Sequence, residues 1–164
     1  MIYRLLGRTK LNVSLLSYGA GGARRGILPI LFGSLVGSVV LCNRTMTKAE
    51  LLQEEFLPYG EIICQTSEQL SGSFDLIINA TSASLSGEIP DMPNTIIPGS
   101  VCYDLAYAYG ETPFQNWTKQ NNSAKSLQGW GMLVEQAAES FYIWRGVRPK
   151  TQEIIQRLQA ELEN

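Results

Sequence analysis

Apolar residues in this chain gather in short unbroken runs, the pattern left by strands that are buried on both faces of a sheet. The first run, residues 12–18, ends in the glycine cluster Gly19-Ala20-Gly21-Gly22. A second apolar stretch divides at Gly37, so that residues 27–35 predict a buried helix and 38–42 a buried strand, and the chain opens with one βαβ unit. Residues 47–56 carry leucines at helical spacing with a threonine placed to cap them. Residues 62–65, 74–79 and 100–105 predict three more strands, the last two separated by a loop that Pro90, Pro93 and Pro98 mark. The final third is helical. Residues 132–144 set Leu133, Ala137 and Phe141 on one stripe with Val134 and Ala138 beside it. Pro149 opens a last amphipathic helix, with Ile154, Ile155, Leu158 and Leu162 on one face and Glu153 paired with Arg157 at i+4.

Strands alternating with helices across short connections predict an α/β fold. The expected architecture is a Rossmann-type, doubly wound, mostly parallel sheet with helices on both faces, right-handed crossovers and a helical C-terminus. A length of 164 residues suits one domain spanning the whole chain. Hydrophobic residues at 45% and charged residues at 17% fit a large buried sheet and argue against disorder. A net charge of −2 supplies no field to draw a nucleic acid, so a phosphate contact has to be local. The charge-free stretch from Gly26 to Cys42 raises a membrane span. It falls short of the roughly 20 residues a bilayer needs and is broken by Pro29, Gly33 and Gly37, so a buried helix and strand account for it better. No signal peptide is evident. Cys42, Cys64 and Cys102 each sit in a strand-like run and read as buried reduced thiols, which suits the cytoplasm. With no histidine in the chain, imidazole is removed as a base or metal ligand.

Three places carry candidate chemistry. Gly19, Ala20, Gly21, Gly22 and Ala23 lie directly after a predicted strand and before a predicted helix. Glycines there permit a tight turn and close approach of a pyrophosphate, and the helix N-terminus offers free N–H groups. Arg24 takes the third fingerprint position, where a small residue would pack the helix closer. About 20 residues further on, where NAD binders place an acid for the ribose 2′-hydroxyl, this chain has Asn43 and Arg44. An arginine there suits a 2′-phosphate and points to NADP, and Lys48 adds a second cation one helical turn later. As surface cations the two would need no ligand. Asn79-Ala80-Thr81-Ser82 ends the predicted central strand, on the edge where open parallel sheets bind ligands; as a polar turn it would equally need none.

These segments, together with Tyr103-Asp104-Leu105, Thr112-Pro113-Phe114 and the run Gly131-Met132-Leu133-Val134-Glu135-Gln136-Ala137-Ala138, occur in the order seen in shikimate dehydrogenases. Over residues 12–160 the chain resembles the cofactor-binding domain of that family. The resemblance implies NADPH-dependent reduction of 3-dehydroshikimate to shikimate in aromatic amino-acid (chorismate) biosynthesis. Residue by residue, it implies that Ala20, Gly21, Gly22 and Ala23 hold the pyrophosphate. Asn43, Arg44, Thr45 and Lys48 would hold the adenosine 2′-phosphate and ribose. Thr81, Ser82, Leu105 and Gly129 would flank the nicotinamide, and Tyr107 and Gln136 would reach the substrate. Gln128 stands where the family has an aspartate, and Ser84 where it has a glycine. The family's substrate domain, with its Ser-x-Ser motif and Lys–Asp pair, has no counterpart here, and residues 1–11 resemble only the segment that joins the two domains. Asp104 and Lys10 are ionisable, but nothing in their spacing aims them at a substrate. A cofactor domain lacking its catalytic half is therefore expected, binding NADP, turning over poorly, and prone to self-association through an exposed interdomain face. A non-catalytic NADP- or partner-binding module and a quinate-type oxidoreductase half are the alternative readings.

Overall fold

The computed structural model describes residues 13–19, 28, 29, 32 and 36–162. Within them lie strands β1 (Val13–Tyr18), β2 (Val36–Cys42), β3 (Ile62–Gln65), β4 (Leu76–Asn79), β5 (Val101–Asp104) and β6 (Lys125–Leu127). They form one sheet in the order β3-β2-β1-β4-β5-β6, and each neighbouring pair runs parallel. The helices are α1 (Met46–Phe56), α2 (Pro113–Gln120), α3 (Trp130–Arg145) and α4 (Gln152–Leu162), and Leu28, Pro29 and Phe32 are also helical. This is the doubly wound arrangement that the alternating pattern predicts.

Period-two geometry sorts each apolar run onto two faces. Val13 and Leu15 of β1, Val39 and Leu41 of β2, Leu76 and Ile78 of β4, and Tyr103 of β5 point to one side. There they meet Leu28, Ala49, Leu52 and Phe56, with Met132 of α3 packed against the cluster. Leu16 and Tyr18, Val40 and Cys42, Ile77 and Cys102 point to the other side, where Leu70, Phe74, Met92, Ile96, Ile97 and Phe114 of α2 cover them. The two clusters explain why the strands read as continuous hydrophobic runs. No helix among the described residues is long and apolar enough to cross a membrane, and the run ending at Cys42 is the buried strand β2. The three cysteines form no disulfide; Cys42 and Cys102 are buried, and Cys64 is half-buried.

Several details differ from the sequence reading. Strand β6 and helix α2 were not anticipated. On α3 the buried stripe is Val134 and Ala138, while Ala137 is exposed and Phe141 is 46% exposed, so the helix is turned by about one residue from the expected face. Helix α1 starts at Met46, and Thr45 in the N-cap position makes no capping hydrogen bond. Helix α4 begins at Gln152 rather than at Pro149, and among the described residues Glu153 and Arg157 form no ion pair. Arg148 instead bridges Glu135 and Glu139 of α3, and the Thr151 hydroxyl donates to Glu135 at 2.6 Å, tying the start of α4 to α3.

Candidate functional site

In a parallel sheet with this order the chain leaves β1 towards β2 and β3, and leaves β4 in the opposite direction. A crevice therefore opens at the C-terminal ends of β1 and β4. The structure has an open cleft of about 940 Å³ there, at the upper end of the range for small-molecule sites. Gly19, Asn43, Arg44, Thr45, Lys48, Thr81, Ser82, Leu105 and Tyr107 all line it. Residues far apart in sequence that were singled out for ligand contact thus share one cavity. Ala20, Gly21, Gly22 and Ala23 lie outside the described residues, as do Arg24 and the segment 1–11.

Gly19 is the pivot of the crevice. Its φ of +103° is a conformation that side chains disfavour. A Cβ here would lie 2.8 Å from Thr81 Cγ2 and 2.9 Å from the carbonyl carbon and oxygen of Ala80. The Gly19 N–H donates to Cys42 O, and the Ala80 N–H to Tyr18 O, both at 2.8 Å, so the ends of β2, β1 and β4 are laced together beneath the cleft. Tyr18 lies in the floor. Its phenol donates to Asp91 O and shares a hydrogen bond with Ser67 Oγ at 3.3 Å, drawing the loop after Pro90 in as the far wall.

The wall made by β2 and α1 carries the positive charge. Arg44 and Lys48 are exposed, line the cleft, and form no ion pair among the described residues. No acidic residue occupies the first turn of α1, so the positive end of the helix is not offset locally. Asn43 Nδ2 donates to Thr45 O at 2.7 Å and shapes the turn that presents Arg44. An anionic group fits this wall; the carboxylates of Glu88 and Asp91 belong to the opposite side.

The wall made by β4 and β5 is built differently. Asp104, with no exposed surface, accepts from Asn79 Nδ2 at 3.0 Å, Ser84 Oγ at 2.6 Å, Thr112 Oγ1 at 2.7 Å and the Ala106 N–H at 3.1 Å. Burial pushes its carboxyl above the usual range, and these hydrogen bonds offset only part of that effect. Asn79 Oδ1 in turn accepts from the Thr81 N–H at 3.1 Å and hydroxyl at 2.7 Å, and Thr81 Oγ1 accepts from the Ala83 N–H at 3.2 Å. Thr81's hydroxyl is thus engaged within the turn, whereas Ser82 is exposed on the cleft wall. Sequence reasoning assigned no role to this network. Its one signal was an acidic residue at the end of an apolar strand, level with an asparagine at the end of the neighbouring strand.

Tyr107 is 41% exposed at the cleft rim, its ring 4.7 Å from that of Trp130. Gly129 and Gln136 do not line the cavity. Gly129 is buried behind Leu105, where an added Cβ would lie 2.3 Å from the Leu105 carbonyl oxygen, and Gln136 is exposed on α3.

Known proteins resemble this chain along most of its length. Residues 129–159 match the family described as Shikimate 5'-dehydrogenase C-terminal domain. A shikimate dehydrogenase (NADP(+)) of Alkalilimnicola ehrlichii is 48% identical over 87% of this chain and 53% of its own length. One from Methylococcus capsulatus is 49% identical over 95% of this chain and 57% of its own. Among solved structures, an Ael1 enzyme from Pseudomonas putida superposes with a TM-score of 0.87 at 42% identity, covering 96% of this chain and 58% of that one. The chain spans a little over half the length of the relatives it matches.

Proposed function

From the premise that this chain is a relative of the shikimate dehydrogenases, matched along nearly its whole length to about half of theirs, we propose that it is the NADP-binding half of such an enzyme. The observation that carries the reading is the pairing of Arg44 and Lys48, which form no ion pair among the described residues, with the glycine-pivoted crevice at the β1–β4 switch point. The fit to the cofactor rests on that donor set. Arg44 supplies planar, charge-assisted donors for a 2′-phosphate, and Lys48 a point charge beside it. Asn43 and Thr45 border the ribose, Gly19 lets the Ala80–Thr81 turn pack close at the base of the crevice, and Ala20, Gly21, Gly22 and Ala23 are assigned to the pyrophosphate. Ser82, Leu105 and Tyr107 form the far end of the cleft, with Thr81 fixing the turn that carries Ser82 and Gly129 backing Leu105.

NADPH, when bound, supplies the hydride; the chain's own residues bind and orient. Asp104 is held by four donors beneath the wall, and the carboxylates that line the cleft, Glu88 and Asp91, come from the loop around Pro90 rather than from the β5 end that carries Tyr107. The groups that exchange the substrate's hydroxyl proton are accordingly assigned to the part of the relatives that this chain does not match. Substrate, 3-dehydroshikimate or shikimate, would contact this half through Tyr107 and Gln136. Exposed apolar side chains on α3 and α4 support a covering partner: Phe141 is 46%, Trp144 78% and Ile154 47% exposed. Left uncovered, these side chains would drive self-association, visible as concentration-dependent sedimentation.

The test is calorimetric titration with NADPH and NADH, with an assay for shikimate-dependent NADP reduction run alongside. NADPH binds in preference to NADH, and Arg44→Ala weakens NADPH about 10- to 100-fold while leaving NADH unchanged. Equal affinity for both cofactors, or indifference to Arg44→Ala, would sink the reading. Turnover by the chain alone would overturn the assignment of the proton-transfer groups to another half.

A further inference from the structure

The segment after β5 is exposed at Tyr107, Ala108, Tyr109 and Gly110, yet it is tied at every second residue to one short stretch. The Gly129 N–H donates to Ala106 O at 2.9 Å. The Ala108 N–H donates to Gln128 Oε1 at 2.9 Å, and Gln128 Nε2 donates to Gly110 O at 2.8 Å. Trp130 Nε1 donates to Ala108 O at 3.2 Å. Alternate backbone groups of residues 106–110 are paired as a strand's edge would be, with the side chains of Gln128 and Trp130 in place of a neighbouring strand. The rings of Tyr107 and Tyr109 close on the Trp130 indole at centroid distances of 4.7 and 6.2 Å.

We propose that Gln128, with Trp130, is a positioning residue that latches the 106–110 segment and so fixes Tyr107 at the rim of the cofactor cleft; the ligand side of this inference rests on the function proposed above. Only a side chain carrying both a donor and an acceptor at this reach makes both contacts. A carboxylate accepts from Ala108 but cannot donate to Gly110, and it repels that carbonyl. The glutamine that departs from the family's aspartate is therefore the residue that closes the latch.

The test compares the wild-type chain with Gln128→Glu, which keeps size and acceptor, Gln128→Met, which keeps size alone, and Trp130→Phe. Hydrogen exchange at the Ala108 amide and the Tyr107–Trp130 ring contact are followed by NMR, and NADPH affinity by titration. The wild-type Ala108 amide is protected. At neutral pH Gln128→Glu keeps part of that protection, Gln128→Met loses it by tenfold or more, and both variants weaken NADPH severalfold without a matching loss of thermal midpoint. In a Tyr107→Ala background the same Gln128 changes leave NADPH affinity unaltered, because the residue they act through is gone. Unchanged protection in Gln128→Met overturns the latch. Lost protection with unchanged NADPH affinity, or an affinity loss that persists without Tyr107, overturns the positioning role. If the wild-type chain fails to bind NADPH, the function proposed above fails, and the latch stands or falls on the exchange and ring-contact data alone.

Discussion

The two walls of the cleft solve the same problem by opposite means. The β2–α1 wall offers long exposed cations on a helix start without a side-chain cap, with a single side-chain hydrogen bond shaping the turn. The β4–β5 wall offers short polar side chains that are almost wholly engaged with one another around a buried carboxylate. Attraction between charges reaches over several ångströms and asks little rigidity of the side chains that exert it, so the first wall needs no rigid frame. Under the function proposed above the second wall would orient a reacting ring, which needs fixed geometry, and its cross-bracing fits that role. Substitutions in the first wall should therefore register in ligand affinity, and substitutions in the second mainly in stability.

The largest effect is expected at the centre of the second wall. Asp104→Ala leaves Asn79 Nδ2, the Ser84 and Thr112 hydroxyls and the Ala106 N–H without their acceptor, costing about 3 kcal/mol or more in denaturant unfolding. The raised carboxyl adds a pH signature. The folded protein holds the Asp104 proton more tightly than the unfolded chain, so this group's contribution to stability is complete below the unfolded carboxyl's pKa and is lost as pH rises through the folded value. Asp104→Asn flattens that slope; an unchanged slope in the variant would show that another group produces it. Next comes Gly19→Ala, at the seam between the walls. It sets a Cβ against Thr81 and the Ala80 backbone at a positive φ, costs roughly 2 to 3 kcal/mol and also impairs NADPH binding, so it should register in both assays. The smallest effect is expected at Lys48→Ala in the first wall. It lowers NADPH affinity about two- to fivefold at low ionic strength, less at high salt, and leaves the unfolding midpoint in place. A Lys48 variant that unfolds early, or an Asp104→Ala variant that keeps its stability while losing only affinity, would dissolve the contrast.

The first wall was far more legible in the sequence than the second. A glycine turn after a strand and an Asn-Arg pair after the next strand are local signals, each contained within a few consecutive residues. The Asp104 network joins residues up to 25 positions apart, and each partner alone looks like an ordinary turn residue. Strands β1, β2, β4 and β5 announced themselves because burial on both faces demands unbroken apolar runs. Strand β6 did not, since Lys125 is exposed and Ser126 is buried on the strength of hydrogen bonds to Thr118 and Gln115. Helix α2 carried a readable start that went unused. Thr112 caps the Gln115 N–H and Pro113 occupies the first turn. On α3 two adjacent apolar stripes were available, and which one turned inward depended on the sheet rather than on the helix.

Trp130 gives the molecule an optical gauge of its own. Of the three tryptophans, Trp144 is 78% exposed on the far end of α3 and Trp117 packs against Phe114 behind the sheet. Trp130 packs its ring at 47° against that of Tyr107, which lines the cleft. Its emission should therefore change when a ligand occupies the end of the cleft beside Tyr107, a change that Trp130→Phe would remove.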